Sequence, residues 1–278
     1  MQHFTASDGA RIAYRDEGAG RPIVLLHGFM AHGGFFRGQA PLAADNRLIT
    51  IDLRGHGGSP VNGHASKVER IAADVAELVG ALDLHDAVGV GWSLGATVLW
   101  HVLAGEAGAR FAGAVIVDMT ARVRNGQGWA LGLSAETCAA RSSAIRDDFA
   151  NFAAGAGQAM FAQPIRADLN AVADWASAEF ARNDPEAMAA IWGSLVDQDM
   201  RALIAGIRQP TLVVHGAQSQ LYGDGTAAHL VATLPDARAL RFEASGHAPH
   251  LEEPERFNRA LADFAGRLSR AGLSQAVN

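Results

Sequence analysis

Short apolar runs along the chain alternate with stretches in which apolar residues recur every three or four positions. The short runs occupy residues 23–26, 48–51, 87–90, 114–117, 211–214 and 238–242. Continuous runs of this kind are typical of strands that are buried on both faces of a parallel sheet. Strands that alternate with helices therefore predict an α/β fold with a mostly parallel sheet and right-handed crossovers.

Helical patterns fill much of the chain between these runs. Amphipathic helices, whose apolar residues share one face, are predicted over residues 68–82, 94–103 and 255–268. The N-terminal end differs, because Asp8-Gly9 is a hairpin signal between two short segments at 2–5 and 11–16. We therefore expect an antiparallel pair of strands ahead of the parallel sheet.

The alternation stops between Asp118 and Pro210. This part of the chain has no convincing strand and combines many alanines with scattered large apolar side chains. It is also much longer than an ordinary connection between two strands. We therefore predict a helical insertion over residues 119–206, which interrupts a core made of residues 1–118 and 207–278.

Composition narrows the class of protein. Of the 278 residues, 49% are hydrophobic and 19% are charged, which is typical of a globular chain and not of a disordered one. The net charge of −6 argues against a nucleic-acid partner. One cysteine cannot form an intrachain disulfide, and neither a signal peptide nor a membrane-spanning stretch is visible. These features predict a cytoplasmic protein, and they leave its oligomeric state open.

Polar or glycine-containing elements follow the predicted strands at their carboxyl ends. They are His27-Gly28, Asp52, Ser93, Asp118, Ser219 and His247. Parallel sheets bind their ligands at this edge, because the carboxyl ends of the strands meet there. The sequence therefore predicts a functional site at this edge before any motif is considered.

The strongest motif is Gly91-Trp92-Ser93-Leu94-Gly95, a G-x-S-x-G that lies between a predicted strand and a predicted helix. A serine is a weak nucleophile and needs a tight turn, a neighbouring base and donors for the oxyanion. The flanking glycines permit the turn, and the helix N-terminus places the Leu94 N–H beside the developing charge. A dinucleotide-binding loop is rejected, because Leu94 stands where that motif needs its third glycine.

The chain resembles the α/β-hydrolase family. Besides the serine motif, the resemblance rests on His27-Gly28-Phe29, the segment 52–59 and Ser245-Gly246-His247. It implies an eight-stranded, mostly parallel sheet flanked by helices, with a helical cap inserted after strand six. It also implies a nucleophile, an acid and a histidine in that chain order. The second oxyanion donor is then expected to be the Phe29 N–H, beside that of Leu94.

His247 is the candidate base, since it matches the glycine–histidine pattern of the family on a loop between the last strand and the last helix. His250 is the local alternative. The remaining histidines near the motifs, His27 and His56, are expected to hydrogen-bond loops near the site. No metal-ligand spacing occurs, and no cofactor is expected.

The acid is the open member of the triad. The family usually carries an aspartate after strand seven, but Ser219 occupies that position here. Two carboxylates remain as candidates: Asp118, which ends strand six, and Asp224, further along the loop of Ser219. We favour Asp118, because the end of a strand holds a carboxylate more rigidly than a glycine-flanked loop does.

Other residues are assigned to packing. Arg54 is expected to pair with nearby carboxylates, Trp92 to pack beside the nucleophile and Cys138 to be a small buried side chain. The function predicted is hydrolysis of a small carboxylic ester or thioester with an apolar acyl part, through an acyl-enzyme on Ser93. A lactonase, a carbon–carbon bond hydrolase, a cofactor-free perhydrolase and a ligand-sensing protein without turnover remain alternatives.

Overall fold

The computed structural model describes residues 1–61 and 67–276, with side chains as far as residue 268. Its strands are β1 Gln2–Thr5, β2 Arg11–Glu17, β3 Arg21–Leu26, β4 Asn46–Ile51, β5 Ala87–Trp92, β6 Phe111–Val117, β7 Thr211–Gly216 and β8 Ala237–Phe242. They form one eight-stranded sheet in the order β1-β2-β4-β3-β5-β6-β7-β8. The pairs β1–β2 and β2–β4 are antiparallel, and all the other pairs are parallel. The predicted fold class and the N-terminal hairpin are therefore confirmed.

Helices flank the sheet, and further helices make up the part of the chain between β6 and β7. The α-helices are α1 Val68–Ala81, α2 Leu94–Ala104, α3 Ala135–Asp147, α4 Phe149–Ala159, α5 Asn170–Phe180, α6 Pro185–Val196, α7 Arg201–Ile204, α8 Asp224–Thr233, α9 Pro249–Glu252 and α10 Pro254–Ala276. Short 3₁₀ segments lie at Gly33–Ala44, Glu106–Arg110 and Ala167–Leu169. None of the helices in the described residues is both long and apolar enough to cross a bilayer.

Two strands of the sheet are buried along their whole length. Every residue of β5 and of β7 is buried, which fits their continuous apolar runs. Neighbouring strands run parallel with β5, so their carboxyl ends meet at one edge. The segments that follow β3, β5 and β6 therefore come together, and these are the segments that carry the predicted chemistry.

The helices α3 to α7 form the segment between β6 and β7, as the sequence predicts for residues 119–206. Between Val117 and Thr211 the described residues contain isolated bridges but no strand. Helices α4 and α5 pack closely, since a Cβ on Gly157 would come within 2.5 Å of the Ser177 Cα. The division into a core and a cap stays a prediction.

Arg54 lies inside the fold and not at a ligand site. Its guanidinium donates to Asp74 of α1 through Nε (2.7 Å) and Nη2 (2.6 Å), and its Nη1 lies 2.8 Å from Asp8 Oδ2. The hydrogen bond from Arg54 lowers the pKa of Asp8 well below its usual range. The prediction that Arg54 pairs with nearby carboxylates is therefore confirmed.

Candidate active site

Ser93 lies on the tight turn that joins β5 to α2. It is the single residue between Trp92, which ends the strand, and Leu94, which begins the helix. Its backbone has a φ of 53° and a ψ of −118°, a conformation that costs a non-glycine residue about 1–3 kcal/mol. Packing on both sides therefore holds the serine in the strained shape of a nucleophile elbow.

The glycines beside Ser93 make this turn possible. A Cβ on Gly91 would lie 2.5 Å from the carbonyl oxygen of Gly95, and a Cβ on Gly95 would collide with the carbonyl of Leu26. Helix α2 therefore begins in close contact with the end of β3. Gly28 is also closely packed, since its Cβ would lie 3.3 Å from the Cβ of Ser93. The loop after β3 thus passes directly beside the serine.

The two predicted oxyanion donors are both unpaired. Within the described residues, neither the Phe29 N–H nor the Leu94 N–H donates a hydrogen bond. Leu94 is the first residue of α2, where backbone donors have no partner inside the helix. The Phe29 N–H follows Gly28, which packs against Ser93. Two free donors therefore flank the serine, as stabilisation of an oxyanion requires.

Asp118 and His247 form a buried hydrogen-bonded pair. The His247 Nδ1 lies 2.6 Å from Asp118 Oδ2, and both side chains are almost completely buried. Asp118 directly follows β6 with a φ of 43°, and its N–H donates to the Val214 carbonyl. With Nδ1 bonded to the carboxylate, the Nε2 of His247 is the ring nitrogen left for a substrate or for Ser93.

Ser219 holds the carboxylate of Asp118 from the other side. Its hydroxyl donates to Asp118 Oδ2 at 2.7 Å, the same oxygen that accepts from His247. The serine oxygen in turn accepts from the N–H groups of Leu221 and Tyr222 at 3.3 and 3.4 Å. The residue at the family's usual acid position therefore contacts the candidate acid, Asp118, which follows β6.

Asp224 lies apart from His247. Its carboxylate pairs with Arg241 at 3.1 Å and with His215 at 3.2 Å, and its side chain is 62% exposed. The hydrogen bond from Arg241 lowers the pKa of Asp224. Of the two candidate acids, the structure brings only Asp118 to the histidine.

The other histidines near the motifs are structural. His27 Nδ1 donates to the Gly28 carbonyl at 2.8 Å, and its Nε2 accepts from the Leu53 N–H at 2.9 Å. His250 is fully buried, and its ring lies 4.7 Å from that of Trp92. Burial lowers the pKa of His27, His56 and His250 to about 3. The predicted loop-bonding role of His27 and His56 is confirmed, and His250 does not contact Asp118.

Trp92 and Cys138 pack as the sequence predicts. Trp92 is buried, and its indole N–H donates to the His247 carbonyl at 2.8 Å, which ties the histidine loop to the elbow. Cys138 is a free, buried thiol on α3. Burial raises its pKa, so the thiol stays protonated near neutral pH.

A buried carboxyl that the sequence analysis missed supports the loop of His247. Glu252 accepts hydrogen bonds from the N–H of Gly246 (2.8 Å) and of Ala248 (3.4 Å), the two neighbours of His247. Its second oxygen accepts from the Ala162 N–H at 2.8 Å, on the inserted helical segment. Glu252 therefore joins the histidine loop to the insertion. Burial raises its pKa to about 7.

The raised pKa of Glu252 predicts a pH-dependent contribution to stability. The folded protein holds the proton up to about pH 7, whereas an unfolded glutamate loses it near pH 4.5. This contribution is therefore complete below pH 4.5 and is lost as the pH rises through about 7. Between pH 4.5 and about pH 7, the melting temperature of Glu252→Gln is therefore expected to fall less steeply with rising pH than that of the wild type. Glu255→Gln, at an exposed position of α10, is the control.

The comparison of slopes decides this prediction. Identical slopes in the wild type and in Glu252→Gln would show that the Glu252 carboxyl titrates alike in the folded and unfolded chain.

The glutamine replaces one accepting oxygen by an amide N–H₂, so it also weakens the support of His247. We therefore expect a decrease in kcat of about tenfold in the same variant.

Ser93 and His247 line a cavity of about 340 Å³. Its walls are mostly apolar and come from the core and from the inserted helices; among them are Phe29, Met30, Trp92, Phe152, Met160, Phe180, Trp192, Leu195, Leu221 and Tyr222. A larger, more open cleft of about 1200 Å³ is lined by Asp52 and Glu179 and reaches neither Ser93 nor His247. The smaller cavity is therefore the space in which a substrate meets the candidate nucleophile. No group of three or more histidine, cysteine or acidic side chains in the described residues could hold a metal ion.

The chain is similar to known ester hydrolases over most of its length. It is 34% identical to a pimeloyl-[acyl-carrier protein] methyl ester esterase from Aromatoleum aromaticum, over 84% of this chain and 93% of that protein. A protein of the same name from Chromobacterium violaceum is 30% identical, over 88% of this chain and 94% of that protein.

The fold also matches a solved structure closely. The esterase EaEST from Exiguobacterium antarcticum superposes with a TM-score of 0.90 over 95% of this chain and 99% of that one, at 24% identity. The family model described as the alpha/beta hydrolase family matches residues 23–260. Because this match spans most of the chain and includes Ser93, Asp118 and His247, the chain belongs to the alpha/beta hydrolase family.

Proposed function

We propose that the protein hydrolyses small carboxylic esters through an acyl-enzyme on Ser93. The observation that carries the proposal is the buried pair of Asp118 and His247, whose histidine lines one cavity with a serine on a strained elbow. The esterase names of the two relatives support the same reaction class. The apolar walls suit an acyl group of low polarity.

The first half-reaction forms the acyl-enzyme. The Ser93 hydroxyl attacks the ester carbonyl while the Nε2 of His247 takes its proton. The negative charge that develops on the carbonyl oxygen is stabilised by the free N–H groups of Phe29 and Leu94. Asp118 keeps the histidine in the tautomer with the proton on Nδ1 and stabilises the imidazolium. The imidazolium then protonates the leaving alcohol as the carbon–oxygen bond breaks.

The second half-reaction releases the acid. His247 removes a proton from a water molecule, which attacks the acyl carbon of the Ser93 ester. The same two N–H groups stabilise the second tetrahedral intermediate, and Ser93 leaves with the proton from His247. The products are a carboxylic acid and an alcohol, or a thiol where the substrate is a thioester.

The other functions predicted from the sequence use the same groups, and no contact among the described residues favours one of them over ester hydrolysis. A lactone, a carbon–carbon bond beside a ketone and a peracid reaction all need a nucleophile, a base and an oxyanion site. A ligand sensor has no need of two free backbone donors beside a strained serine, an arrangement that costs stability. Ester hydrolysis is therefore the function we propose.

A covalent intermediate tests this proposal directly. With a p-nitrophenyl ester in excess, we expect a burst of about one equivalent of p-nitrophenol per chain whenever deacylation is slower than acylation. A fluorophosphonate is expected to stop the reaction and to modify the peptide that contains Ser93, as peptide mass spectrometry would show. Hydrolysis that persists after full phosphonylation, or a modification at another serine, would contradict the proposal.

A further inference from the structure

One permanent charge faces the otherwise apolar cavity. Among the described residues that line it, Arg141 of α3 alone carries a formal charge at neutral pH, apart from the titratable His247. Apolar cavities seldom contain a charged group that serves no purpose, because desolvation of an unpaired charge costs free energy. The surroundings of this arginine therefore indicate what the cavity binds.

Arg141 has no anionic partner within the described residues. No carboxylate lies within 4.0 Å of its guanidinium, and the guanidinium forms no hydrogen bond. Its one defined contact is with the ring of Trp192, whose centre lies 5.8 Å away. Burial lowers its pKa, and the only groups that counter this effect are Tyr222 and Cys138, both uncharged at neutral pH. The half-buried cation therefore faces the cavity with no compensating charge among the described residues.

Tyr222 adds a neutral donor to the same cavity. Its side chain is buried, and in the described part of the chain its hydroxyl makes no hydrogen bond. Burial raises its pKa, so the hydroxyl keeps its proton near neutral pH. The Tyr222 ring also lies 6.1 Å from the ring of His247, which places this residue near the reacting groups. An arginine and a tyrosine hydroxyl are a common pair of donors for a carboxylate.

We propose that Arg141, assisted by the Tyr222 hydroxyl, binds a carboxylate that the substrate carries at a distance from its ester bond. The inference rests on the proposed ester hydrolysis and names its substrate class: short esters with one free carboxylate. Hydrolysis of a dicarboxylic half-ester would then give a dicarboxylate and an alcohol. The cavity of about 340 Å³ is at the small end of the range for ligand sites, which favours a short spacer between the ester and the carboxylate.

The carboxylate can belong to either half of the ester, and two substrate pairs distinguish these cases. Monomethyl glutarate carries it on the acyl half, and methyl 5-methylhexanoate replaces the carboxylate by an isopropyl group of the same shape. The acetate ester of 4-hydroxybutanoate carries it on the alcohol half, with the acetate ester of 4-methylpentanol as its neutral counterpart. The readout is the ratio of kcat/KM between the charged and the neutral member of each pair.

The decisive variant is Arg141→Met, which keeps much of the side-chain length and removes the charge. We expect it to lower the charged-to-neutral ratio of one pair by about 10- to 100-fold, the range of hydrogen bonds to charged groups. Tyr222→Phe is expected to lower the same ratio by about threefold to tenfold. Arg146→Met removes the same charge from an exposed position of α3 and serves as the control. It should leave the ratio within about twofold of the wild-type value.

A stability measurement separates substrate binding from a structural role. If Arg141 served the fold, Arg141→Met would lower the melting temperature. An unpaired, partly desolvated cation instead predicts an unchanged or higher melting temperature in that variant. A lower melting temperature together with an unchanged ratio would overturn the proposal, as would equal ratios in Arg141→Met, Arg146→Met and the wild type. A wild type that prefers the neutral member of both pairs would overturn it as well.

Binding without turnover keeps this proposal distinct from the proposed hydrolysis. In a Ser93→Ala background, monomethyl glutarate and the acetate of 4-hydroxybutanoate are titrated by calorimetry, with and without Arg141→Met. Binding of either ester that weakens about tenfold or more on loss of Arg141 supports the carboxylate subsite even if no ester is turned over. Equal affinity with and without Arg141 contradicts the subsite and leaves ester hydrolysis untouched.

Discussion

Ser93→Ala is expected to lower kcat/KM for a small p-nitrophenyl ester by about 10⁴-fold or more, the largest effect that any single change in this chain should have. Alanine removes the oxygen that forms the acyl-enzyme but leaves the two oxyanion donors in place. The residual rate is then that of a water molecule which His247 activates beside the same N–H groups. Steady-state rates over a range of ester concentrations measure the effect.

Two observations make the outcome of Ser93→Ala informative. Alanine tolerates the positive φ of the elbow no better than serine, so the melting temperature should change by only a few degrees. Ser143→Ala, at an exposed position of α3, is the matched control and should keep the wild-type rate. A Ser93→Ala variant that is folded and retains more than about a tenth of the activity would show that the nucleophile is another group.

The fold was predictable because its buried strands are short and clearly bounded. The apolar runs of β5 and β7 are brief and end at glycine-containing turns, and this length and these boundaries distinguish a buried strand from a buried helix. The hairpin signal at Asp8-Gly9 placed the antiparallel edge equally well. Element ends were less certain, since β5 continues through Gly91 and Trp92 to the serine itself. Strand pairing with β6 decides that end, and pairing is not a local property of the sequence.

The site was predictable where chemistry coincides with a strand end. Ser93 and Asp118 each follow a strand directly, so the order of the parallel strands brings them to one edge. Glu252 and Arg141 could not be found in this way. Glu252 acts through contacts with the backbone of a segment 90 residues distant. Arg141 is distinguished by having no carboxylate partner among the described residues. Only the folded structure shows which carboxylates lie near an arginine.

The contact between Ser219 and Asp118 shows why the acid was the open question. The Ser219 hydroxyl donates at 2.7 Å to the same Asp118 oxygen that contacts Nδ1 of His247, so Ser219 lies close to that nitrogen. A carboxylate on either backbone position could therefore reach that nitrogen. In this chain the carboxylate belongs to Asp118, which follows β6. The residue after β7 is Ser219, whose hydroxyl donates to that carboxylate. On the proposed assignment, the acid of this chain follows β6 instead of β7 and keeps its place beside the histidine.

Asp118→Asn is accordingly expected to lower kcat by about 10⁴-fold with little change in KM. The asparagine amide can donate to Nδ1 of His247, which favours the tautomer that cannot take a proton from Ser93. Asp224→Asn, which removes the alternative acid, should change kcat by no more than about twofold because that carboxylate contacts Arg241 and His215. The reverse order of effects would assign the acid to Asp224.

Adding Ser219→Asp to the Asp118→Asn variant tests whether the acid can be moved back to the loop after β7. The new carboxylate would lie near the present position of Ser219 Oγ, which contacts the same Asp118 oxygen as Nδ1 of His247. It could therefore accept the proton on Nδ1. We expect this second substitution to restore kcat by about tenfold or more over Asp118→Asn alone, measured with the same ester. In the wild-type background, Ser219→Asp places two carboxylates side by side and should lower activity, because their repulsion raises the pKa of one of them. Rescue in one background and loss in the other is a pattern that general destabilisation cannot produce; loss in both would mean that the loop cannot present an acid to His247.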